Sequence, residues 1–155
     1  VLYRRWPDKS ELVIAALRRY YFPKVTNEIP NTGKLRDDVL AYLRSRVEPM
    51  RTIGAETIKG LIMEPAVWRM IIASVPQRIR KPRSENKITA AVAEILKNAE
   101  LRGEVCFEKL SPRIVALPFA LLQNELIAKL EPVSDEAVVE IVDDIFMPLV
   151  RAAQQ

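Results

Sequence analysis

The chain has 155 residues, enough for one sizeable core, and its 49% hydrophobic and 28% charged side chains exclude the disordered and fibrous classes. A net charge of +4 is compatible with nucleic-acid contact but mild enough to be ordinary helix solvation, so charge alone carries little weight. Histidine is absent and Cys106 stands alone, which predicts no disulfide, no metal or cofactor and no catalytic set; with no apolar run of membrane-spanning length, a non-enzymatic, soluble, cytoplasmic protein is expected.

The opening residues read as the end of one helix, a tight break and the capped start of another. Asp8 can accept from the amides of the next turn while Glu11 reaches back, a capping box, and Leu12, Val13, Ala16, Leu17, Tyr20 and Tyr21 follow at helical spacing, predicting a helix over 9–21. Residues 23–33 hold two prolines, two asparagines and two threonines and are predicted to be a loop. A second helix is expected from near Thr32 through Leu35, Val39, Tyr42, Leu43 and Val47, ending before or near Pro49. A short helix over 54–63 presents Ile58, Leu61 and Ile62, and Pro65 then suits the first position of a helix carrying Trp68, Met70, Ile71, Ile72 and Val75.

Residues 76–87 change character, with Arg78, Arg80, Lys81, Arg83 and Lys87 among little apolar content, and read as a basic connection or a helix end. The clearest amphipath follows: Ile88, Ala91, Val92, Ile95, Leu96 and Ala99 share one face, and Gly103 is a natural stop. Ser111-Pro112 caps and opens a helix that is apolar nearly all round over 114–122, which implies cover on more than one side, and Pro118 is expected to bend it. The last helix, capped by Ser134 or Asp135, is predicted to place Val138, Ile141, Val142, Ile145, Phe146 and Leu149 on one face, opposite Glu136, Glu140, Asp143 and Asp144, with Pro148 fraying or bending its end. The fold class is all-α.

The opening pattern Leu2-Tyr3, Trp6, Lys9 and Leu12 closely resembles the junction between the recognition helix and the fourth helix of the tetracycline-repressor-like (TetR) transcriptional regulators. Arg102-Gly103-Glu104 also resembles the tripeptide that closes a long helix in that family. The resemblance implies that residues 1–8 are the remnant of a helix-turn-helix domain, that 9–155 form the helical ligand-binding and dimerisation domain, and that the sequence opens inside the recognition helix.

It further implies site residues. The position of Tyr3 donates a hydroxyl to a backbone phosphate and that of Lys9 adds an ammonium at a helix start, while Arg4 and Arg5 reach phosphates or base edges; the plainer alternative has Tyr3 packing on Trp6 and Lys9 solvating the helix. Residues 78–87 read as a second DNA footprint, a polar rim over a cavity, or simply a solvated face. Met63, Trp68, Met70 and Phe119, with Gln123 as a polar anchor, are the candidates to enclose a small apolar or aromatic effector, against the alternative of plain core. Ile114, Leu117, Leu121, Leu122, Val138, Ile141, Val142 and Ile145 are the candidates for a homodimer interface. The expected function is a repressor released from its double-stranded DNA operator by that effector; the alternative is an all-helical interaction or scaffold module without DNA binding.

Overall fold

A computed structural model describes residues 28–65, 67–69 and 87–155, together with Leu12, Ala15, Ala16 and Arg19. Among the described residues the chain is helical and contains no strand. Leu12, Ala15 and Ala16 are helical; the rest of the expected first helix and the basic stretch up to residue 86 lie outside the described residues. The helices are α1 (Leu35–Ile53), α2 (Ala55–Ile62), α3 (Lys87–Leu101) and α4 (Pro112–Lys129). A final helical rod joins α5 (Asp135–Glu140), a π-helical segment (Ile141–Phe146) and α6 (Met147–Gln154) without a break.

The core lies where α1, α3, α4 and the final rod meet. Leu35, Val39, Tyr42, Leu43 and Val47 of α1 recur at helical spacing and pack with Val92, Ile95, Leu96 and Ala99 of α3, Val115 and Leu122 of α4, and Val138, Val142, Phe146 and Val150 of the rod. Each fully buried Val, Leu, Ile or Phe side chain among them contributes roughly 1.5–3 kcal/mol of transfer free energy. α1 packs on every one of these partners and on α2, so it is the hub of the domain.

The sequence places α1 too early and too short. It begins at Leu35 rather than near Thr32, because Thr32 is engaged otherwise: its backbone N–H and hydroxyl donate to Asp38 Oδ1 at 2.6 and 2.7 Å. Lys34 provides no side-chain cap, and the N–H of Leu35 instead donates to Glu104 Oε2 at 2.9 Å, from the turn after α3. At the other end α1 continues past Pro49 to Ile53. Proline's fixed φ suits a helix; its cost here is one backbone bond onto Ser45, and the ring is buried. Gly54, at φ +90, makes the stop.

The turn after α3 is built by Gly103 at φ +79. Glu104 N–H donates to Ala99 O and Gly103 N–H to Glu100 O, both at 2.9 Å, the double bond of a Schellman ending. This turn aims Arg102 and Glu104 at the start of α1. Asp38 is fully buried, and Arg102 reaches it at 2.8 Å while its Nε donates to Glu104 Oε1 at 2.7 Å and its other amine to Asn31 Oδ1. One carboxylate thus joins the 28–34 connection, α1 and the end of α3.

A second set of charges ties α1 to the final rod. Arg36 grips Asp143 through two bonds, at 2.6 and 2.7 Å, and Arg44 grips Asp135 at 2.8 and 2.9 Å, so the two helices run antiparallel. Arg51 donates to the Val133 carbonyl at 3.3 Å.

The predicted caps of the last two helices are present. Ser111 Oγ accepts from Ile114 N–H at 3.3 Å, and Ser134, of the two candidates, caps the rod by accepting from Ala137 N–H at 3.2 Å. α4 runs through Pro118 unbroken to Lys129. The rod does not fray at Pro148. Proline removes the donor that Asp144 O would have met, and the ladder adopts i→i+5 bonding just before it, with Met147 N–H donating to Val142 O.

That π segment changes which residues face inward. A π turn holds more residues than an α turn, so a spacing of four stays on one side: Val138, Val142, Phe146 and Val150 are buried, and Ile145 and Leu149, expected on the same face, are turned outward at 38% and 40% exposure.

Arg102→Ala should lower the unfolding free energy by about 3 kcal/mol, because it strands a buried carboxylate with only Thr32 as partner; chemical denaturation measures this, and a loss below about 1 kcal/mol would show that the pair is dispensable. The second expectation concerns acid. The Arg44 hydrogen bonds hold Asp135, and the Arg36 hydrogen bonds hold Asp143, below the usual carboxylate range. Between the native and unfolded values the unfolded chain binds more protons, so this stabilisation is complete above the ordinary aspartate value of about 3.9 and is lost as pH falls below it. An Asp135→Asn/Asp143→Asn variant should melt below the parent at pH 7 and converge with it in acid; an unchanged gap at pH 2 would contradict the assignment.

Candidate functional site

The residues expected to meet DNA, Tyr3, Arg4, Arg5 and Lys9, lie outside the described residues, as does Met70. Of the remaining effector candidates, Trp68, Phe119 and Gln123 are partly buried, whereas Met63, just past α2, is 62% exposed. Phe119 packs against the main core. Met63 is therefore not an interior side chain in this arrangement.

The interface candidates divide. Leu122, Val138, Ile141 and Val142 are buried within the protomer, so their apolar surface is already covered without a second subunit. Ile114, Leu117 and Leu121, spaced by three and four along α4, remain partly accessible, and Ile145 is exposed. Leu149, one turn beyond Ile145, belongs with it.

Tyr42, expected in the core, and Arg46, which the sequence reading did not single out, occupy adjacent turns of α1. Tyr42 is fully buried at the centre of the core, and the guanidinium carbon of Arg46 sits 4.6 Å from its ring centroid. The Tyr42 hydroxyl and the Arg46 Nε are both buried atoms, and neither meets a hydrogen-bonding group outside this pair. Burial raises the Tyr42 phenol above its ordinary value, against the opposing charge of Arg46 and a hydrogen bond with its side chain, so the hydroxyl is neutral at physiological pH. Of the four arginines in α1, Arg36, Arg44 and Arg51 each pair with a carboxylate; among the described residues Arg46 makes no ion pair. The available signal was the register: Arg46 follows Tyr42 by four, one turn along the same side of a helix whose tyrosine was assigned to the core.

A cleft of about 290 Å³ lies at the start of α1, lined by Leu35, Glu104, Val105, Met147, Val150, Arg151 and Gln154. Cys106 beside it is held by its backbone, whose N–H donates to Gln154 Oε1 at 2.7 Å. Among the described residues no helix is long and apolar enough to cross a membrane.

The described residues form a helical domain whose last two helices keep an outward apolar stripe. Comparison with known proteins agrees with that architecture. The model of the tetracyclin repressor-like C-terminal domain matches residues 29–145. Uncharacterized HTH-type transcriptional regulators of Mycobacterium bovis and of two strains of Mycobacterium tuberculosis are each 32% identical to the chain, across 95% of it and 69% of their own length. No solved structure matches it. With a family model spanning most of the chain and relatives alike along nearly all of it, the chain belongs to the TetR family of transcriptional regulators.

Proposed function

We propose that the protein is a DNA-binding transcriptional regulator that works as a homodimer, a repressor released from its operator by a small, largely apolar or aromatic effector. The observation that carries this reading is the likeness, along 95% of the chain, to regulators of the HTH type. The opening pattern of Leu2-Tyr3, Trp6, Lys9 and Leu12 also supports it. Tyr3 and Lys9 are the proposed phosphate contacts, with Arg4 or Arg5 beside them; at the helix start expected for Lys9, backbone N–H groups would also favour an anion.

The dimer surface is proposed on α4 and the final rod, through Ile114, Leu117 and Leu121 together with Ile145 and Leu149, which are among the apolar positions that the protomer core leaves accessible on these helices. Leu122, Val138, Ile141 and Val142 support that surface from behind. An effector favouring the DNA-released state by about 3 kcal/mol shifts a two-state equilibrium more than a hundredfold, which is sufficient for a switch. Trp68, Met70, Phe119 and Gln123 remain the proposed effector contacts.

In a protein carrying the complete helix-turn-helix, Ile145→Glu/Leu149→Glu should sediment as a monomer at micromolar concentration and lose tight operator binding, since two carboxylates cannot be buried there without partners. Lys9→Ala should stay dimeric, weaken specific and random duplex alike and lower the salt-dependence slope by about one unit. A dimeric charge variant with full affinity would remove the proposed surface, and an unchanged salt slope would remove Lys9 from the phosphate contacts.

A further inference from the structure

We infer that Asn124 of α4 lies at the two-fold axis of the dimer and pairs there with the same residue of a second copy of this chain. This rests on the proposed homodimer and names the contact at its centre.

The side of α4 turned away from the core has the spacing of a seam between helices. Val115, Pro118 and Leu122 are buried on the inner side. Leu117, Ala120, Asn124 and Ile127 follow one another at intervals of three, four and three residues, which keeps them on one stripe of the opposite side. Ala120 and Asn124 are exposed and Leu117 and Ile127 half-buried, so the protomer core leaves this stripe uncovered. The final rod packs on α4 and itself presents Ile145, Leu149 and Ala152 outward, at intervals of four and three. A second copy fits such a surface, because side chains of one helix enter the gaps of another that carries the same repeat, and a two-fold dimer is what a two-fold operator requires. The small Ala120 allows the helices to approach closely at the contact.

Asn124 is the polar position in this apolar stripe. Buried there without a partner, its amide costs the free energy of unmade hydrogen bonds. The adjacent Glu125 is held by Lys129 on the same helix, and the Asn124 amide has no partner among the described residues. In a two-fold interface contacts are reciprocal, and a residue at the axis meets its own copy. Asparagine suits that place because it holds both an acceptor oxygen and a donor NH2: two facing amides exchange two hydrogen bonds, each oxygen accepting from the other's NH2. A slide of either helix breaks both bonds, so the pair fixes a register that apolar neighbours alone leave loose.

The test is a charge exchange in the full chain. Asn124→Asp and Asn124→Lys are prepared separately and then mixed, with association followed by sedimentation equilibrium and the composition of the dimer by native mass spectrometry. Each variant alone should dissociate at least about a hundredfold more readily than the parent, since the axis then holds two like charges. The mixture should form a one-to-one heterodimer with a dissociation constant within about tenfold of the parent's, because opposite charges now meet. Either variant dimerising alone as tightly as the parent overturns the inference and leaves the homodimer standing on contacts elsewhere along α4 and the rod. Weakened variants that form no heterodimer on mixing overturn the placement at the axis, whether or not circular dichroism finds them helical when separate. A parent that sediments as a monomer at micromolar concentration overturns the homodimer reading, and the inference with it.

Discussion

A fully buried aspartate needs a positive partner, and Asp38 finds it in Arg102, 64 residues away in the chain. Replacing such a pair by apolar side chains is often neutral for stability, so its value lies in what it specifies. An apolar stripe on α1 facing an apolar stripe on α3 tolerates small slides and rotations. A carboxylate that must meet one guanidinium does not. Arg102 is presented by the left-handed Gly103, whose two backbone bonds end α3, and the neighbouring Glu104 caps α1 through Leu35. Thr32 and Asn31 bring the connection before α1 into the same knot. Position, direction and starting point of the central helix are therefore set together.

From that fixed start, α1 distributes its charges in register. Arg36 and Arg44, eight residues apart, meet Asp143 and Asp135, also eight apart, on the antiparallel final rod. These pairs are largely exposed and individually weak, but their two-pronged geometry aligns the rod along α1. Alignment matters because the rod is also the element whose outer face, turned by the π segment, holds Ile145 and Leu149. The same central helix that orders the core thus orients the surface proposed for the partner subunit.

Much of this was legible in the sequence. Hydrophobic spacing locates α1, α3, α4 and the final rod, Ser111 and Ser134 mark true caps, and Gly103 marks a true stop. The misreadings share a cause. Pro49 suggests an end and Pro148 a frayed or bent end on local rules, yet both helices continue, because neighbouring packing outweighs one missing backbone bond. At Pro148 the compensation is a π turn, and no periodicity count foresees the resulting rotation that buries Val150 and exposes Leu149. Asp38 was passed over because its significance depends on a group distant in sequence, whereas the tripeptide containing Arg102 was visible only as a family likeness. Met63 looked like cavity lining by residue type alone, and its exposure reflects a place beyond the end of α2.

The knot around Asp38 is most directly tested by amide hydrogen exchange at Thr32 and Leu35. Both N–H groups precede the first internal bond of α1 and donate instead to side chains, Thr32 to Asp38 and Leu35 to Glu104. Amides in such positions ordinarily exchange as fast as an open loop. If the knot anchors the domain, Thr32 and Leu35 exchange as slowly as core amides such as Leu43 and Ile95. Exchange of both at the rate of an unbonded loop would contradict the account.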